Sequence, residues 1–261
     1  DWAWRVPFVI GGVFGLISIY LRRFLQETPV FKKMRESKAL AKFPLEEVVK
    51  TSRFGIWISM FITWVLTGCI VVFILLMPGF VGGVLGFSPF ETTYFQMGGL
   101  VCIVSSCWLT GRLADKHNPS TLCILFSAGF AVSSVAFFSL LYTAAPVVSE
   151  VVLAYFATCF FAGIMNFCPI FMCDVFPARI RFSGISFAYN IAYALSGAFT
   201  PQLSFALHAY AKTHPDTLGA MGLSAYIVFL ALVSIGTALA MRRVYKNGGA
   251  AVSQMEFRPA P

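Results

Sequence analysis

The stretch FGIWISMFITWVLTGCIVVFILLM, Phe54–Met77, contains no Asp, Glu, Lys or Arg. At about 1.5 Å of rise per residue it is long enough, as a helix, to cross the roughly 30 Å hydrocarbon core of a bilayer. Lipid offers no partner to backbone N–H and C=O groups, so a span is either a helix or a strand of a closed barrel. Barrel strands read as alternating segments of about ten residues, and no such alternation occurs here. Six further stretches read in the same way: Trp4–Tyr20, Thr92–Leu109, Thr121–Tyr142, Val151–Cys173, Gly184–Leu207 and Met221–Met241. Composition agrees, with 58% hydrophobic residues, 11% charged residues and a mean hydropathy of +0.80. A soluble domain carries roughly twice that charge fraction. The expected fold class is therefore all-α, a polytopic transmembrane helical bundle.

The loops give an orientation. Lys and Arg crowd residues Arg22–Arg53, are absent from Pro78–Glu91, return as Arg112 and Lys116, and vanish from Thr143–Glu150. They return again as Arg179 and Arg181, thin to Lys212 alone, and end as Arg242, Arg243, Lys246 and Arg258. This alternation predicts that the basic loops and the C-terminus are cytoplasmic and that the N-terminus lies outside. The formal charge of +8 is thus a topology signal that also suits anionic headgroups, and it does not point to nucleic acid. Between the first two spans, Pro29 and Pro44 punctuate the basic segment, and Pro44 followed by Leu45, Glu46, Glu47, Val48 and Val49 predicts a short amphipathic surface helix.

Catalytic chemistry finds no support. The seven cysteines, Cys69, Cys102, Cys107, Cys123, Cys159, Cys168 and Cys173, show no CxxC spacing and read as buried thiols. His117, His208 and His214 are scattered, which predicts no metal site. No P-loop, GxGxxG or GxSxG is present, so neither a cofactor nor an enzymatic activity is expected.

Three motifs carry a family resemblance. Trp4-Arg5-Val6-Pro7-Phe8 leads a span that ends in Leu21-Arg22-Arg23, followed by Glu27-Thr28-Pro29-Val30-Phe31. Gly111-Arg112-Leu113-Ala114-Asp115-Lys116 lies between the third and fourth spans, and Asp174-Val175-Phe176-Pro177-Ala178-Arg179-Ile180-Arg181 between the fifth and sixth. Together they resemble the major facilitator superfamily, in particular its metabolite:proton symporter branch of proline/betaine, 2-oxoglutarate and citrate transporters. One departure is that His117-Asn118-Pro119-Ser120 stands where that family's loop signature continues with glycine and basic residues.

The resemblance implies the C-terminal half of a twelve-helix transporter. Residues 1–21 would correspond to its sixth helix, 22–53 to the basic cytoplasmic central loop, 54–241 to the six-helix C-terminal domain and 242–261 to a cytoplasmic tail. The implied function is secondary active transport by alternating access, with proton-coupled symport of a small organic solute such as proline/betaine or a di- or tricarboxylate. The alternatives are a half-transporter remnant without transport and a membrane scaffold or receptor. The implied partners are the solute, protons, the lipid bilayer and the missing N-terminal six-helix half. The implied location is the bacterial inner membrane. The opening at Asp1, without an initiator Met, fits a piece of a longer chain, and the short tail without heptads argues mildly against an osmosensing proline/betaine carrier.

Two sets of candidate residues follow. Arg112, Asp115, Asp174 and Arg181 sit at helix ends, where an ion-pair network could close and open a cytoplasmic gate. The competing reading is plain anchoring and loop capping. No Asp, Glu, Lys or Arg falls in the middle of a span, so the coupling carboxylate is expected in the other half. The uncharged polar groups at depth are Gln96, Asn166, Asn190 and Tyr193, with Trp64 as a possible aromatic wall; on the family's architecture, their spans line the solute cavity. The competing reading there is hydrogen bonding between helices. Gly163 with Pro169, and Gly197 with Pro201, are expected to kink the fifth and sixth spans, and Gly98-Gly99 to permit close approach in the third.

Overall fold

The computed structural model describes residues 2–24, 32, 35, 36, 43–143, 145–214 and 217–246, without the side chains of 217–220. Among these residues there are helices and connecting turns and no strand. The chain divides near residue 40 into two units. In the first, a 3₁₀ turn at Ala3–Arg5 leads into α1, Val6–Arg22. Pro7 sits at its start, where the missing N–H costs nothing.

The helices that follow belong to the second unit. The short helix α2, Pro44–Thr51, starts on proline, places Glu46 and Glu47 in its first turn and Lys50 in its last, and so matches the helix dipole at both ends. The long helices are α3, Arg53–Leu85, α4, Pro89–Ala114, α5, Pro119–Leu141, α6, Val148–Val175, α7, Ala178–Thr213, and α8, Thr217–Lys246. Helix starts are capped where the sequence offers the residues. Ser88 and Glu91 form a reciprocal capping box on α4, and the Asn118 side chain accepts the Ser120 N–H at 2.9 Å on α5.

Among the described residues, six segments are long and apolar enough to cross a membrane: Ala3–Arg22, α3, α4, α5, α6 and Met221–Lys246 of α8. Helix α7 is amply long but less apolar, and it falls outside this set. Its buried positions explain its place. Gly184, Ala188, Ala192, Ser196, Thr200 and Ser204 recur every four residues, a stripe of small side chains that lets α7 lie close on α3. Helix α5 pairs chiefly with α8, where Ser127 Oγ donates to Ser234 Oγ at 2.8 Å, and α4 pairs with α6. The core between them is aromatic: Phe73 meets Phe130 edge-on at 5.5 Å, and Tyr155 stacks on Phe95 at 4.0 Å.

One expectation, the end of the second span, needs correction. The sequence reading ends the second span at Met77, before Pro78, yet α3 continues to Leu85. The turn before the proline widens instead. Ile70–Leu76 is π-helical, and the Met77 N–H reaches back to Val72 O. The next residue in that register is Pro78, which has no N–H for Phe73 O; nor can it serve Ile74 O, its usual α-helical partner. Both carbonyls are taken by side chains from other helices: Tyr155 Oη donates to Phe73 O at 2.9 Å, and Gln96 Nε2 to Ile74 O at 2.8 Å. In α6, the break expected at Gly163 and Pro169 is a 3₁₀ segment, Ala162–Asn166. In α7, Pro201 lies inside an uninterrupted helix.

Candidate functional site

Helix α7 exposes polar side chains along its length. Opposite its buried stripe, Asn190 and Tyr193 share one face and are exposed, and Tyr189 stacks on Tyr193 at 5.4 Å. Asn190 Nδ2 donates to its own helix, to Ser186 O at 2.7 Å, which leaves its carbonyl oxygen free to turn outward. Along the same helix, Thr200 Oγ1 and Tyr226 Oη lie 2.7 Å apart, and Trp64 Nε1 donates to Tyr226 Oη at 3.3 Å. The half-buried Trp64 ring meets Phe199 edge-on at 6.2 Å. A polar and aromatic strip thus runs from Tyr189 to Trp64 across α7, α3 and α8.

The other two polar candidates face inward. Gln96 is committed to Ile74 O, as described above. Asn166 sits in the 3₁₀ segment of α6 and donates to Cys107 O and Thr110 Oγ1 of α4, both at 3.2 Å. These two amides hold helices together, so the structure groups Asn190, Tyr193 and Trp64 on or beside α7 and places Gln96 and Asn166 elsewhere.

The charged candidates all lie at the end of the bundle where the basic loops gather, here called the basic end. Arg112 is exposed in the last turn of α4 with its guanidinium 4.1 Å from the Trp108 ring centroid. Asp115 follows as the exposed cap of that helix. Asp174 accepts a 2.5 Å hydrogen bond from Tyr245 Oη near the end of α8. Arg181 donates through Nε to Phe176 O at 3.1 Å and thereby shapes the turn between α6 and α7. The sequence reading missed two members of this cluster. Arg179 forms an ion pair with Glu47 of α2, and Tyr245 anchors Asp174. Beneath the ion pair, Val48 of α2 is fully buried against Phe176 and Ile180, so the short helix is pinned to the α6–α7 turn.

A polar aromatic contact closes the opposite end. Tyr142 Oη and His208 Nδ1 are 2.5 Å apart, and the His208 ring stacks on Phe80 at 4.0 Å. This joins α3, α5 and α7. Among the described residues, no group of three or more His, Cys, Asp or Glu is placed to hold a metal ion.

The Major Facilitator Superfamily sequence pattern matches residues 1–201. The chain belongs to that superfamily. Its similar proteins include the inner membrane metabolite transport protein YhjE of Escherichia coli, 29% identical, with 85% of this chain and 50% of that protein aligned. A proposed proline/betaine transporter of Staphylococcus haemolyticus is 23% identical over 77% of this chain and 42% of its own length. The alpha-ketoglutarate permease of Escherichia coli is 23% identical over 79% and 47%. No solved structure matches the chain. The chain spans about half the length of these relatives. Within the superfamily it sits among transporters rather than enzymes, and it is a multi-pass membrane protein.

Proposed function

We propose that this superfamily member forms the C-terminal half of a secondary active transporter, a proton-coupled symporter that moves a small polar or zwitterionic organic solute by alternating access. Six-helix residues 54–241 would close against an N-terminal half, with residues 1–21 as that half's last helix, 22–53 as the connecting loop and 242–261 as the tail. The basic end would face the cytoplasm of a bacterium, and the C-terminus with it. The observation that carries this reading is the character of α7. A helix of transmembrane length that is less apolar than its neighbours, buried on a stripe of small residues and exposing Asn190 and Tyr193, is built to face a solute path rather than lipid.

Asn190, Tyr193 and Trp64 are then the solute-facing groups of this half, an aromatic and amide surface able to receive an ammonium or a carboxylate. Gln96 and Asn166 support the wall from behind. Asp115, Asp174, Arg112 and Arg181 act at the cytoplasmic gate, with Arg179 and Glu47 tethering α2 beside them. Proton coupling fits an acid supplied by the N-terminal half. The printed names of the relatives, a metabolite transporter, a proposed proline/betaine transporter and an alpha-ketoglutarate permease, suggest the first solutes to try.

The test is uptake of labelled proline, betaine, 2-oxoglutarate and citrate by cells producing this chain with and without its N-terminal half. Uptake of one solute with both halves present, abolished by an uncoupler, supports the proposal. No uptake in either arrangement despite confirmed insertion would favour a scaffold or a remnant.

A further inference from the structure

Helices α3 and α8 run antiparallel past one another near the basic end and leave an open groove of about 380 Å³ between them. Phe54, Trp57 and Phe61 form one wall, and Val233, Gly236 and Ala240 the other, so the lining is almost wholly apolar. Trp57 and Phe61 stack at 5.8 Å and both are exposed. On the facing wall a Cβ added to Gly236 would meet nothing within 4 Å, so the glycine leaves the groove open at mid-length. From Phe54 to Phe61 the groove runs about 10 Å along the helix axis.

The ends of the groove differ. Phe54 and Ala240 are the lining residues nearest the basic end, and beyond them come Arg53 on α3, and Arg242 and Arg243 on α8; helical spacing keeps Arg243 on the Gly236–Ala240 face and turns Arg242 away from it. All three arginines are exposed. Among the described residues none of them is in an ion pair, and three carboxylates of this end are engaged elsewhere. Glu46 pairs with Lys50, Glu47 with Arg179, and Asp174 accepts from Tyr245. An apolar slot therefore opens, at headgroup level, beside exposed arginines. In a bilayer the molecule with that chemistry is an anionic phospholipid.

We propose that this groove binds one anionic phospholipid, with an acyl chain along Trp57, Phe61 and Gly236 and its phosphate at Arg53 and Arg243. A zwitterionic lipid could fill the slot but would gain little from the arginines. A free phosphate would use the arginines but not the slot.

The test reconstitutes the full chain in vesicles of equimolar phosphatidylglycerol and phosphatidylethanolamine, extracts it in mild detergent and measures the lipid that copurifies. The unchanged chain should retain phosphatidylglycerol over phosphatidylethanolamine by about tenfold. The R53Q/R243Q double variant should lose that preference and R53K/R243K should keep most of it. Gly236→Leu should lower retention of both lipids, and Lys116→Gln, at the same end but away from the groove, should change nothing. Folding of each variant is checked by the slow thiol reaction of the buried cysteines. Equal retention of the two lipids by the unchanged chain, or retention of phosphatidylglycerol that survives both R53Q/R243Q and Gly236→Leu, would overturn the proposal.

Discussion

Tyr155→Phe removes one oxygen from a fully packed position and so isolates the cost of the π-helical segment. Tyr155 is 1% exposed, and its ring would keep its contacts with Phe95 and Phe137. What is lost is the Tyr155 hydroxyl's hydrogen bond to Phe73 O, a carbonyl that Pro78 cannot serve because it has no N–H. A buried carbonyl without a partner costs about 1–2 kcal/mol, toward the lower end where the surroundings are lipid. For a domain of this size that corresponds to a fall of roughly 2–8 °C in the unfolding midpoint. Buried Cys69, Cys123, Cys159 and Cys168 make the assay simple, because a maleimide dye reports their exposure as detergent-solubilised protein is heated. The decisive arm is Pro78→Ala. Alanine restores an N–H in register with the stranded carbonyl, so in that background Tyr155→Phe should cost less than about 0.5 kcal/mol. An equal fall in both backgrounds would refute the argument that the proline creates the need for the tyrosine.

Three further outcomes are expected. Gly99→Leu should abolish folding or lower the midpoint by more than about 8 °C, because even a Cβ there would lie 2.5 Å from Tyr155 Cε1; normal thermal unfolding would show that α4 and α6 do not pack this closely. Glu47→Gln should release α2 from the α6–α7 turn at a cost of roughly 1 kcal/mol, seen as faster hydrogen exchange confined to residues 44–51, and Arg179→Gln should do the same; exchange unchanged in both would mean that Val48 alone holds the helix. In a transporting two-half protein, Asn190→Ala and Tyr193→Ala should raise the half-saturating solute concentration about tenfold with little loss of stability, whereas Asn166→Ala should chiefly lower the unfolding midpoint. The reverse pattern would move the solute face from α7 to α6.

Much of the fold was legible because lipid imposes a simple rule on the sequence. Long uncharged stretches such as Phe54–Met77 must be helices, and Pro44, followed by Glu46 and Glu47, starts one on its own. The end of α3 was not legible, since Pro78 is a stop signal unless a π-helical turn and two donors from other helices absorb it. Those donors sit 22 and 82 residues away, beyond any local pattern. The candidate site divides along the same line. Asn190 and Tyr193 were readable as a polar face because helical spacing alone places them together. Gln96 and Asn166 look identical to them in sequence but are spent on partners that only packing reveals. Glu47 and Arg179 are 132 residues apart, and Asp174 and Tyr245 are 71 apart, so neither contact left a local mark, although Arg179 stands in a motif that was noticed.

Proton-coupled symport is tested most directly by the pH of the medium. De-energised cells containing both halves are suspended in weak buffer, and the transported solute is added while external pH is recorded. The account predicts an immediate alkalinisation as protons enter with the solute, abolished by an uncoupler and absent when this chain is omitted. Solute entry without any pH change would contradict proton coupling.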